Sequence, residues 1–467
     1  MEYASMLFLL LFLVLFLVTQ FLIPSVKWKN YALLLFSLVF YAWAGPVHLL
    51  VLLGLTLVCW FFGLQIRLSR RPAQKKGLLM VAMLVILICL AGFSYNSFLL
   101  GTIRTITGRP QVLPQVILPL GMTVYCLQML SYLLDIYYGD LQPEPNILKL
   151  LTYTSLFYVS MGGPILRYGD AKKALSKRRL KIPEVSKGIT RICMGAAKRY
   201  LLADSLSAVI DQYLIRSTAE LAGVPVTGLW LGVILWAVRL YLRLSAYADV
   251  AVGIGQCCGI AVPENFSYPI LSLSLTTFLR KWLITLGEFF RRYVEGPFSR
   301  HKTRPIIGSC IAFILMGLWL GGSWTYVLWG IFVALCLFVE KRYLRRMSPI
   351  ISGVCGVIGI FFSFVFLSFT TMSRLGVGLR GLFGLNGNGF FRGEFFAGTS
   401  GVLLIILSLL FCLPLGTLAG NIWRNRFKDN LLMMTVSSVW EAVFPIALLA
   451  LTAFWLLRFP GVPFLVF

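Results

Sequence analysis

Runs of apolar residues long enough to cross a bilayer recur along this chain, and they constrain its fold more than any other feature. Met6 to Pro24 is almost uninterrupted Leu, Phe and Val. At about 1.5 Å per residue, a helix of that length covers a hydrocarbon core about 30 Å thick. With 59% hydrophobic and 13% charged residues and a mean hydropathy of +0.85, the chain reads as an all-α polytopic membrane protein, because a soluble domain has no way to bury so much apolar surface. No long hydrophilic linker separates the runs, so a single membrane domain over 1–467 is expected. The first run is too long for a signal-peptide core and has no basic region before it, so it is expected to be a retained span.

The charge pattern sets the expected orientation. Lys and Arg number 42 against 17 Asp and Glu, a formal +25, and the cations lie between apolar runs. That placement points to cytoplasmic loops and anionic lipid head groups, and away from nucleic acid. A basic cytoplasmic mouth that attracts an anionic donor is the second reading. Tyr31 to Ile66 is about twice a span and breaks near Gly45-Pro46, which predicts two helices joined by a tight turn. Arg67 to Lys76 holds five cations and no acid, and is placed in the cytoplasm. Counting back through two crossings puts the segment of Lys27 and Lys29 inside and the N-terminus outside.

Gly77 to Tyr95 is a further span, and Thr102 to Gln115 reads as a polar connection. The helix after Leu118-Pro119-Leu120-Gly121 carries Asp135 near its end. Gly162-Gly163-Pro164 then breaks a helical segment, which at membrane depth requires protein or water around it. Lys172 to Arg199 contains ten cations and only Glu184, the strongest cytoplasmic marker in the chain. The crossings between Arg109 and Lys172 do not give clean parity, so a re-entrant segment is expected there. Asp204 and Asp211 follow. Arg239 and Arg243 share a helix face just before Asp249, as structural ion pairs or as a substrate path.

The densest concentration of polar, basic and Trp-rich sequence is Phe278 to Gly330, where any chemistry is expected. Arg280 to Arg304 has seven cations plus His301 against Glu288 and Glu295, and should lie in or re-enter from the cytoplasmic interface. Pro305 to Glu340 is about two spans long. Ile351 to Thr371, Gly398 to Leu418 and Val436 to Leu457 bring the expected total to eleven or twelve spans. The ten cysteines have the spacing of neither a disulfide framework nor a zinc site, so no metal is expected.

Taken together, these pieces resemble the membrane-bound O-acyltransferases, in particular the alginate O-acetyltransferase branch. The matching pieces are Leu118 to Gly121 with Gln128 to Asp135, Gly163 to Ile165 with Arg167-Tyr168, Tyr247 to Asp249, Pro263 to Tyr268, Phe278 to Tyr293, and Gly317 to Gly330. The resemblance implies a family core over 118–346, with N-terminal helices over 1–117 and C-terminal helices over 347–467. It also implies a helical bundle around a central funnel and transfer of an acyl group, from acetyl-CoA or an acyl carrier, to the outer face. Expected partners are an extracytoplasmic acyltransferase and polysaccharide machinery in the cytoplasmic (inner) membrane.

The same resemblance assigns a catalytic histidine after Trp319 and a second histidine after Trp282. This chain has Leu320 and Leu283 there. An imidazole accepts a proton from a hydroxyl near neutral pH, whereas Leu shapes a cavity and nothing more. The two histidines present, His48 and His301, are assigned no role. An active transferase would need another base, with Glu264, Glu288 and Asp249 as candidates. Arg280 and Lys281 would then stand near donor phosphates, and Trp282, Trp319 and Asn265 would line the funnel. The alternative is a non-catalytic member acting as scaffold or conduit, and a transporter is a third class, suggested by the membrane acids and Gly-Pro breaks.

Overall fold

The computed structural model describes residues 7–108, 117–178, 180–215, 217–300, 305–393, 401–416 and 431–458, with positions 418, 420 and 426 between the last two. Among these the regular structure is helical, without strands. His301 and residues 109–115 of the expected polar connection lie outside the described residues. Five described helices are long and apolar enough to cross a membrane: Pro46–Leu68, Pro72–Ser94, Val226–Cys258, Trp324–Arg342 and Pro349–Ser368. Shorter apolar helices cover Leu7–Leu22, Ile147–Ser160, Ile307–Leu320, Val402–Phe411 and Val443–Arg458. The chain is a multi-pass membrane protein.

The chain divides into two units, Met1–Ile189 with Ala251–Glu264, and Thr190–Val250 with Asn265–Phe467. In the first unit, α1 (Leu7–Leu22) begins as a π-helix over Leu7–Phe12 and is followed by α2 (Val26–Ala44) and α3 (Pro46–Leu68). Gly45, at φ 142°, makes the turn between α2 and α3 where Gly45-Pro46 predicts it, and Pro46 opens α3 at a position that needs no N–H. Lys27 and Lys29 belong to the first turns of α2, not to a loop. α4 (Pro72–Ser94) and α5 (Asn96–Thr107) follow, and α5 extends helix through the first part of the expected connection.

On α4, Leu79, Ala82, Ile86 and Leu90 are buried, whereas Met80, Leu84 and Ile88 form an exposed apolar stripe. Hydrocarbon solvates such a stripe, which in water would favour aggregation. Helix α6 (Met122–Tyr138) is buried almost all round, as its lack of a polar face requires. α7 (Ile147–Thr154), α8 (Phe157–Ser160) and α9 (Tyr168–Ser176) complete this part of the unit. The Phe157 ring meets Phe12 and Phe16 edge-on at 5.4 and 5.2 Å, tying α8 to α1.

The second unit contains α11 (Ser205–Tyr213), α12 (Thr218–Gly223), α14 (Leu275–Lys281), α15 (Ile284–Phe290), α16 (Gly296–Arg300), α17 (Pro305–Leu320), α18 (Trp324–Arg342), α19 (Pro349–Ser368) and α20 (Met372–Leu382). Helices α21 (Val402–Phe411) and α22 (Leu431–Arg458) close the described chain. Helices α10 (Ile182–Ala197) and α13 (Val226–Cys258) contribute residues to both units. Trp230 of α13 stacks on Phe361 of α19 at 4.3 Å. The Asn388 side-chain amide donates to the carbonyls of Val224 and Gly381 at 2.6 and 3.1 Å, so the segment after α20 is pinned by buried hydrogen bonds.

Candidate functional site

The centre of the second unit is a junction between two short helices. Ser274 caps α14 by accepting from the Thr277 N–H at 3.1 Å, and the buried Glu340 carboxylate of α18 accepts from the Thr276 N–H at 3.2 Å. The helix ends at Trp282, whose indole is enclosed by Phe278, Phe266, Phe364 and Tyr241 at ring separations of 5.4, 5.3, 5.5 and 6.1 Å. Leu283 then takes a left-handed conformation, φ 46° and ψ 53°, before α15 begins. For a branched apolar side chain this costs about 1–2 kcal/mol, so the surroundings must impose it.

Asn265 imposes it. Its carbonyl accepts from the Ile284 N–H at 2.9 Å, and its side-chain oxygen accepts from the Thr285 N–H at 3.2 Å and the Thr285 hydroxyl at 3.0 Å. The Ser267 N–H donates to the Lys281 carbonyl at 3.0 Å. Two sequence pieces, Asn265 to Tyr268 and Phe278 to Thr285, are thereby stitched into one unit. Asn265, Trp282 and Leu283 are buried, Lys281 is half-buried and Arg280 is exposed. Both cations sit in the last turn of α14, where positive charge is favoured by the helix dipole.

Leu320 is the last residue of α17 and is buried. Gly317 and Gly321, four apart, lie where α17 meets α18. A Cβ on Gly317 would fall 2.2 Å from the Tyr326 carbonyl oxygen, and one on Gly321 would fall 2.3 Å from the Tyr326 ring. Only a glycine pair permits this approach, the small-residue packing typical of membrane helices. Ser323 caps α18 by accepting from the Thr325 N–H at 3.3 Å. Trp319 is half-buried beside Leu320 in sequence. Helix α17 also packs on α15 and on the π turn Arg291–Glu295, where the Ser309 hydroxyl donates to Glu295 at 2.7 Å.

The three candidate bases occupy different environments. Glu264 and Glu288 are exposed. Asp249 is mostly buried and ion-paired through both oxygens, with Arg191 Nε at 3.0 Å and Lys198 Nζ at 2.6 Å. Helical spacing produces this clamp. Arg191, Gly195 and Lys198 share one face running from α10 into the following π turn (Lys198–Ala203), and a Cβ on Gly195 would lie 2.8 Å from the Ala246 carbonyl oxygen of α13. The close approach sets Arg191 and Lys198 on either side of Asp249. At the residue after Lys198, the Arg199 guanidinium lies 4.9 Å from the Tyr247 ring centroid, and its Nε is 3.5 Å from Asp204. Arg239, ten residues before Asp249, instead donates to the Ser207 hydroxyl at 3.2 Å.

The first unit joins other pieces that sequence order separates. Arg167 pairs with Asp135 at 2.7 Å, so the two matching pieces that contain them meet. The Tyr153 hydroxyl donates to the Leu166 carbonyl at 2.8 Å and anchors the Gly-Pro break beside α6. Glu144, not singled out in the sequence, is buried and accepts from the Tyr168 hydroxyl at 2.7 Å, with Lys172 Nζ at 3.3 Å. Burial alone would raise its carboxyl, but the hydrogen bonds from Tyr168 and Lys172 and the Lys172 charge outweigh it and hold Glu144 below the usual carboxylate range. His48 accepts from the Leu120 N–H at 3.1 Å, a structural role. Among the described residues no group of three or more His, Cys, Asp or Glu side chains is placed to hold a metal ion.

The family model described as MBOAT, membrane-bound O-acyltransferase family, matches residues 141–372. The chain is 32% identical over 365 residues to a probable alginate O-acetylase of Pseudomonas putida, covering 75% of this chain and 72% of that protein. The chain belongs to the membrane-bound O-acyltransferase family. The Pseudomonas aeruginosa counterpart is 30% identical, covering 77% of this chain and 71% of its own length. A peptidoglycan O-acetyltransferase of Helicobacter pylori is 25% identical over 76% of this chain and 74% of its own length. As a member of this family the chain places Trp282, Leu283, Trp319 and Leu320 within the matched region, and the residues that hold them, Asn265 and Gly317 above all, lie within it too.

Proposed function

We propose that this protein takes part in O-acylation, in the first instance O-acetylation, of a cell-envelope or extracellular polysaccharide. The observation that carries this reading is similarity over about three quarters of the chain to relatives named for acetylating alginate and peptidoglycan. The donor is acetyl-CoA or an acyl carrier on the cytoplasmic side, and exposed Arg280 with half-buried Lys281 offers its phosphates two cations at a helix end. The protein lies in the cytoplasmic membrane with its N-terminus outside, and an extracytoplasmic acyltransferase receives the acyl group.

Acyl transfer to a hydroxyl needs a base for the hydroxyl proton, and neither Leu320 nor Leu283 is one. The clamp on Asp249 argues against that residue: an oxygen shared with Arg191 or Lys198 is poorly available to an incoming proton. In this reading the chain supplies the membrane path and the donor mouth, and the base comes from Glu264, Glu288 or the extracytoplasmic partner. The second reading, a scaffold or conduit without chemistry of its own, is favoured by the same observation together with the buried apolar side chains of Leu320 and Leu283.

Ester-linked acyl groups released by mild alkali from the envelope of a deletion strain test the first reading, with complementation by Glu264→Gln, Glu288→Gln and Asp249→Asn variants. Loss of ester on deletion supports it, and loss with one glutamate variant at normal protein abundance names the base. Ester unchanged by deletion contradicts it.

A further inference from the structure

In the first unit two cations are buried together without an acid. Arg178 is 6% exposed and Lys29 is 9% exposed. Arg178 follows α9, and Lys29 lies in the first turns of α2. Arg178 Nη1 donates to the Gln20 side-chain oxygen at 3.0 Å, and Nη2 donates to the Asn30 side-chain oxygen. Gln20 in turn donates to the Lys29 carbonyl at 3.0 Å, and Asn30 donates to the Leu175 carbonyl at 2.9 Å. Every one of these partners is neutral. Among the described residues no carboxylate lies within ion-pair distance of either cation, and the buried Arg178 Nε has no hydrogen-bond partner.

An arginine stays protonated in a protein, so burial does not remove its charge. An isolated buried ion costs several kcal/mol, and a second cation beside it adds repulsion. Arg199, the other buried cation among the described residues, has Asp204 beside it. A bound anion would cancel both charges at once and use the spare Arg178 N–H.

We propose that Lys29 and Arg178 form a phosphate-binding site, filled by the phosphate of an anionic phospholipid. Three observations favour lipid over a soluble phosphate. Lys27, two residues before Lys29, and Lys173 and Lys177, within five residues before Arg178, are exposed and would add long-range attraction to an anionic leaflet. Trp28 and Tyr31 are exposed one residue from Lys29 and Asn30 and contact each other at 5.7 Å, the aromatic pattern of a membrane–water boundary. Phe21 and Leu22 are also exposed there and give acyl chains apolar surface to lie against. The site is separate from Leu320, Leu283 and the acyl-transfer reading, and stands without it.

The test uses the full chain purified in detergent and delipidated. Its melting temperature is measured against added phosphatidylglycerol, phosphatidylcholine and inorganic phosphate, for wild type, Lys29→Gln, Arg178→Gln and the rim control Lys27→Gln. Phosphatidylglycerol should raise the melting temperature of wild type and Lys27→Gln well beyond phosphatidylcholine. For Lys29→Gln and Arg178→Gln the half-saturating lipid concentration should rise roughly tenfold or more, the loss of one charge-assisted hydrogen bond. If Arg178→Gln does not fold, Lys29→Gln decides, because its ammonium holds no neighbouring segment. Stabilisation by inorganic phosphate with the same variant dependence, and none by phosphatidylglycerol beyond phosphatidylcholine, keeps the site and assigns it to soluble phosphate. Equal shifts by both lipids in wild type without a phosphate effect, or equal phosphatidylglycerol responses in wild type and Lys29→Gln, overturn the proposal.

Discussion

The side-chain oxygen of Asn265 accepts both the backbone N–H and the hydroxyl of Thr285, and through this pairing the chain holds Leu283 in a left-handed turn. Replacing Asn265 with Ala removes the oxygen that accepts from both the N–H and the hydroxyl of Thr285. At about 0.5–1.5 kcal/mol for each hydrogen bond lost, Asn265→Ala should lower stability by about 1–3 kcal/mol. A melting temperature within experimental error of wild type would show that the turn does not depend on Asn265.

Asp249 is a structural anchor in this account. Asp249→Ala removes the carboxylate that Arg191 and Lys198 share, a change that costs about 3 kcal/mol when a largely buried pair is broken. Adding Lys198→Met to it should recover part of the loss. Were Asp249 the acyl-transfer base, Asp249→Asn would abolish ester formation while protein abundance stayed normal. Melting curves and envelope ester measured together on the same variants separate the two roles.

Glu144 makes stability pH-dependent in one direction. Its folded carboxyl titrates below its unfolded value, so its contribution is present above the ordinary carboxylate range and is lost as pH falls through the lowered folded value. Glu144→Gln should lower the melting temperature at pH 7 and flatten its fall on acidification. The cost at pH 7 should be about 1–3 kcal/mol, typical of a hydrogen bond to a charged group. An unchanged acid limb in the variant would remove Glu144 from the explanation.

Gly321 sets how closely α17 and α18 approach. A methyl group there meets the Tyr326 ring, so Gly321→Ala should cost about 1–3 kcal/mol as an overpacked contact. Pairing it with Tyr326→Ala should cost less than the sum of the two single changes. Strict additivity by thermal melting would place the clash elsewhere.

The fold was largely legible because apolar run length and helix breakers are local signals. Gly45-Pro46 marks the α2–α3 turn, and the Arg67 to Lys76 cations flank the short α3–α4 connection. The partners of charged residues were not legible, because they depend on which helices pack. Asp249 looks closest to Arg239 and Arg243 in sequence but pairs with Arg191 and Lys198, more than 50 residues away. The run from Lys172 to Arg199 reads as a cytoplasmic marker, a reading that does not reveal that Lys172, Arg178, Arg191, Lys198 and Arg199 engage groups inside the protein. The Arg191, Gly195, Lys198 spacing was the one readable hint of that clamp. The resemblance makes Asn265 a funnel residue, whereas its role as the clasp on Leu283 emerges only from hydrogen bonds that join two sequence pieces.

The central claim is that this chain is needed to acylate an envelope polysaccharide. The most direct measurement is ester-linked acyl content of the isolated envelope from wild-type cells, a deletion strain, the deletion strain complemented with the wild-type chain, and the same strain carrying Leu320→His. The account predicts that deletion removes most of the ester and that the wild-type chain restores it, with Leu320 in place. Ester unchanged by deletion but raised by Leu320→His would contradict it, and would identify the native chain as a disabled transferase whose work lies elsewhere.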